Sequence, residues 1–193
     1  LELVAKSSGT AACALTAHAL EAAQRLQQRG DSTLATQIEN QVLARPHLEQ
    51  LLQTALTSAA LPPTLPRILA QVPHPAAEIL THWFQPDTAP ETKKRIRALA
   101  EQLGAAGTEY FRHQFEGGAA ATVLPVLGLL TSLAPETVLS QLPAMFRRWE
   151  RREQDAALQH IIGAGCPQVG QILLELLPLA HEHVLPALLD ELG

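Results

Sequence analysis

The sequence is poor in the residues that build sheets, bind metals or span membranes. Aromatic residues make up 4% of its 193 positions, with two cysteines, one methionine and one tyrosine. β-branched and aromatic strand formers are scarce beside leucine and alanine, which favour helix. Cys13 and Cys166 lie far apart and fit no ligand spacing, so two free thiols in a reducing, cytoplasmic setting are expected. No 18-residue apolar run occurs and no basic segment leads into an apolar one, so nothing reads as a membrane span or a signal peptide. A net charge of −5 lacks the basic excess of a nucleic-acid binder. No nucleophile-elbow, phosphate-loop or dinucleotide-binding glycine pattern is present. The expectations are therefore no catalytic residue, no cofactor and no metal.

What the chain does have is helical periodicity that repeats. Ala14, Leu15, Ala19, Leu20, Ala23 and Leu26 predict a leading helix near 10–30, stopped by Gly30, with Asp31 and Ser32 as caps for the next. Val42, Val72, Leu103, Leu133, Ile161 and Leu192 then recur at separations of 30, 31, 30, 28 and 31. Turn residues follow most of them: Arg45-Pro46, His74-Pro75, the 104–107 glycines, Ala134-Pro135 and the 163–167 turn. Glycine can take the positive φ that ends a helix and proline is preset to begin one. Twelve residues after four of these positions stand Phe84, Phe115, Met145 and Leu173, the large apolar residues a stacked core needs. The spacing predicts an all-α, right-handed α-solenoid of about 12 helices in a single domain. Five hairpins are expected at about 31–60, 61–86, 90–117, 118–151 and 152–178, each burying its apolar face on its neighbours. Residues 179–193 read as the first helix of a further repeat, and the chain, which begins at Leu1, is expected to continue beyond Gly193.

The cleanest hairpin runs over 158–177, LQHIIGAGCPQVGQILLELL. The 97–107 turn, RALAEQLGAAG, carries a Leu-Gly-x-x-Gly pattern that resembles the short HEAT-like repeats of bacterial proteins, and residues 155–167 resemble that family in spacing, with Cys166-Pro167 where it has Asp-Pro. The resemblance implies a solenoid that acts as a protein-binding scaffold and implies no chemistry. A second implication is nucleic-acid or phospho-ligand binding, as in the HEAT-like alkylpurine DNA glycosylases. A third is an accessory lyase or cofactor-chaperone subunit.

Under the first reading the partner is a protein or peptide, with no membrane and no nucleic acid, held on the concave second-helix face. His82 and His113 occupy one offset in adjacent units. Trp83, Tyr110 and Trp149 sit off the buried stripe and are candidate exposed anchors of the kind enriched at binding hot spots. Arg148 and Arg152, within the RRWERREQD stretch, supply an electrostatic rim. A second basic run, 93–97, opens the helix of the third unit; two such patches suit a phosphate-bearing partner, but four charges each are not a nucleic-acid stripe. His181 and His183 point about 200° apart on a helix and share no metal.

Overall fold

The structure is a computed structural model that describes residues 9–58 and 60–192. It is 79% helix, without strands among the described residues. Its contacts fall into two compact units, 1–76 and 77–193, where the sequence pattern suggests one continuous array.

In the first unit, helix α1 (Gly9–Gln28) packs against α2 (Ser32–Val42), α3 (Arg45–Thr57) and α4 (Leu65–Leu69). Leu20, Ala23, Leu48, Leu51, Leu52, Leu65 and Ile68 form the core between them. The Thr16 hydroxyl donates to the Ala12 carbonyl and lies 3.1 Å from His47 Nε2. Burial pushes the Cys13 thiol pKa up and that of the His47 imidazole down. Asp31 stands at the N-cap of α2, but its side chain makes no cap bond.

The second unit begins inside α5 (Pro73–Trp83) and continues through α6 (Pro90–Gln102), α7 (Gly104–Glu116), α8 (Ala120–Leu133), α9 (Pro135–Phe146), α10 (Arg151–Ala164), α11 (Val169–Leu176) and α12 (Leu185–Leu192). Gly104 and Gly165 take positive φ values of 62° and 58°, so the α6–α7 and α10–α11 turns close where L side chains would be strained. The 104–107 turn is shorter than its sequence suggests, because α7 starts at Gly104 and Gly107 is buried within it. The final helix is also shorter than 179–192. A 3₁₀ turn at Leu177–Leu179 interrupts the chain and Pro186 stands at the start of α12.

Helix α8, AATVLPVLGLLTSL, has no charged residue, and residues 126–131 are buried without a break, which places apolar side chains on every face. A helix of that kind must be covered all round, and α6, α7, α9 and α10 all pack against it. Phe84, Phe111, Phe115 and Leu173 are buried as their spacing requires. In α9 the buried residue is Phe146 and not Met145, which is half-buried, so the stripe there is offset by one position.

Two residues close this core. Buried Gln154 donates to the Phe146 carbonyl at 2.8 Å, and its amide oxygen accepts the His181 N–H at 3.0 Å. Gly128 lets α8 approach its neighbours: a Cβ there would stand 2.7 Å from Phe84 Cε1 and 3.2 Å from the His160 carbonyl oxygen. Gly128→Ala gains up to about 1 kcal/mol of helix propensity but forces apart fully packed groups at about 1–3 kcal/mol. The variant is expected to be less stable by about 1–2 kcal/mol in urea unfolding, with part of the loss recovered by adding Phe84→Leu.

Candidate functional site

The expected site residues come from two places in the second unit. On α5, Ala76, Ala77, Ile79 and Leu80 face the core, so Glu78 and His82 one turn apart face solvent and Trp83 is half-buried at the boundary. On α7, Phe111 and Phe115 are buried, which turns His113 outward and leaves Tyr110 half-buried, edge-on to Phe111 at 5.7 Å. Burial and then the Glu78 carboxylate raise the Tyr110 phenol pKa. His82 and Trp83 thus lie on α5, and Tyr110 and His113 on α7. His113 also borders an open cleft of about 340 Å³ with Gln114, Glu116, Gly117 and Thr122.

Trp149 does not join them as an exposed anchor. It is only 5% exposed, tilted against Phe146 at 6.4 Å, with its indole N–H donating to the Gly118 carbonyl at 3.4 Å. It closes the core edge where α9 gives way to α10. Its neighbours divide by role. Glu150 caps α10 in a reciprocal box with Glu153, and Arg151 pairs with Asp155 at 3.9 Å. Arg148 and Arg152 are exposed.

Within the 93–97 basic run Lys94 is exposed, Arg95 and Arg97 are half-buried and Lys93 is buried. Lys93 is 7% exposed; its ammonium donates to the Pro86 carbonyl at 2.6 Å and lies 5.9 Å from the Phe84 ring centroid. A Cβ on Gly163 would come within 2.9 Å of Lys93 Nζ, so glycine makes room for the lysine beside α10. Arg97 Nη1 donates to the Ala164 and Gly165 carbonyls at 2.8 and 3.3 Å, placing a cation on the negative end of the α10 dipole. These two side chains join α6 directly to α10, two hairpins further along. The run's spacing carried a signal for this burial: Lys93, Ile96 and Ala100 share one helix face.

Arg97 also borders an open cleft of about 400 Å³ with Lys94, Glu101, Ser132, Cys166 and Gln168. The Cys166 thiol there donates to the Thr131 carbonyl at 3.5 Å. Among the described residues no three His, Cys, Asp or Glu side chains group as metal ligands, and no helix is long and apolar enough to cross a membrane.

Burial is the main cause of a lowered pKa at both Lys93 and His160. Arg97 adds to the shift at Lys93 while Asp87 opposes it, and Lys93 adds to the shift at His160. His160 Nδ1 is buried without a hydrogen-bond partner. With folded values below unfolded ones, the unfolded chain binds more protons and stability rises with pH. Stability is therefore expected to fall as pH drops below the ordinary imidazole value of 6.5. His160→Leu should flatten that fall in melting temperature between pH 7.5 and 5.5, leaving the share that belongs to His47.

No family model matches the chain, and neither the curated proteins nor the solved structures compared with it include a significant match.

Proposed function

We propose that this protein is a non-enzymatic scaffold of stacked helical hairpins, similar to HEAT-like repeats, that binds a protein or peptide across its second helices. One observation carries the reading. Within the second unit, first helices α6, α8 and α10 pack in series, and second helices α9 and α11 pack on each other. Stacked hairpins bury their inner faces on their neighbours and leave their outer faces to present side chains. On those faces the exposed His82 and His113 flank the half-buried Trp83 and Tyr110, a polar rim around partly desolvated aromatic rings. Arg148 and Arg152 supply positive charge at the α9–α10 turn. The direct α6–α10 contact made by Lys93 and Arg97 braces the stack, and rigidity limits the entropy lost when a partner docks. Two free thiols suit a reducing, cytoplasmic setting.

A photo-reactive side chain at position 82 or 113 is expected to cross-link one discrete protein in native lysate, and Trp83→Ala/Tyr110→Ala should abolish the cross-link without loss of helix. Cross-links that persist in that double variant would overturn the site.

A further inference from the structure

The second helices of the fourth and fifth hairpins, α9 and α11, pack side by side and leave an open cleft of about 330 Å³. Glu136, Leu139 and Ser140 line it from α9, and Gln171 and Glu175 from α11. Leu174 stands one helical turn from the cleft-lining Gln171 and is 59% exposed. Leu189, on the adjoining α12, is 57% exposed. Both are large aliphatic side chains left open to solvent.

The charge around the cleft has one sign. Neither α9 nor α11 contains a lysine, arginine or histidine, and neither Glu136 nor Glu175 has an ion-pair partner among the described residues. From Glu153 to the last residue the chain holds six carboxylates and no lysine or arginine. Eight of the fourteen lysines and arginines of the chain lie at 93–97 and 147–152.

We infer that the α9–α11 cleft docks a cationic amphipathic segment of the partner. Its lysines or arginines meet Glu136 and Glu175, and its apolar residues cover Leu139 and Leu174. Charge complementarity selects this occupant: an acidic segment would leave both glutamates facing like charge, and a purely apolar one would cover them without a counter-ion. The inference rests on the second-helix reading above and names the chemistry of the partner.

The test is fluorescence anisotropy of a labelled helical lysine–leucine peptide added to the full chain. Binding is expected, weakened about tenfold by Glu136→Gln/Glu175→Gln and further by raising salt from about 50 to about 300 mM. The glutamate–leucine counterpart should not bind. Equal binding of both peptides, or of the lysine–leucine peptide to the glutamine variant and the wild type, overturns the inference. So does light scattering in which the glutamine substitutions turn a wild-type dimer into a monomer, because the occupant is then a second copy. Binding that survives these substitutions but is lost in Trp83→Ala/Tyr110→Ala removes the cleft and leaves the second-helix reading in place. Equal binding by all variants removes both.

Discussion

The second unit depends on one constraint, that α8 must be covered on every side. Its 126–131 stretch presents apolar atoms all round, so no single partner helix can satisfy it. Four helices do so together, and the missing side chain at Gly128 brings Phe84 and the α10 backbone close. At the usual ~25 cal/mol per Å² of apolar surface, a helix hidden this completely outweighs the local penalties it carries, including Pro125 within its first two turns. The α6–α10 brace is a consequence. With both helices drawn onto α8, Arg97 reaches the carboxyl-terminal end of α10 and donates to its last carbonyls, while Lys93 packs beside Gly163.

The same constraint explains what was legible in the sequence. Hairpins announce themselves through period and punctuation, and most boundaries of α6 to α11 fall beside proline or glycine; the α9–α10 turn, RRWE, has neither. Buried Phe84, just past the end of α5, and Phe115 of α7 follow from their offsets, because the inward face of a regularly packed helix repeats with the unit. The pattern slips where packing, and not period, decides. Phe146 replaces Met145 in the core of α9, and Trp149 closes the core edge, because the α9–α10 corner offers a hydrophobic wall and one free carbonyl at Gly118. Lys93 reads as a surface charge by residue type. Its burial depends on Pro86, Phe84 and Gly163, which no local window brings together. Of the candidate site, His82, Trp83, Tyr110 and His113 follow from helix phase alone.

What the fold leaves outside is segregated by charge. Arginine and lysine concentrate at 93–97 and 147–152, while 153–193 carries only acids, histidines and uncharged residues. Part of the basic share is internal: Lys93 and Arg97 answer backbone carbonyls, and Arg151 answers Asp155. Arg148 and Arg152 remain outward-facing. The second helices therefore present aromatic and histidine chemistry on α5 and α7 and acidic, leucine-bearing chemistry on α9 and α11.

Native-state hydrogen exchange tests the central claim, that α8 is the buried axis around which the other hairpins of the second unit are placed. Amides 126–131 should exchange most slowly in the unit, at rates set by its global unfolding, with α11 and α12 opening well before them. Exchange of α8 as fast as that of α12, or protection spread evenly over α6 to α12, would contradict the account.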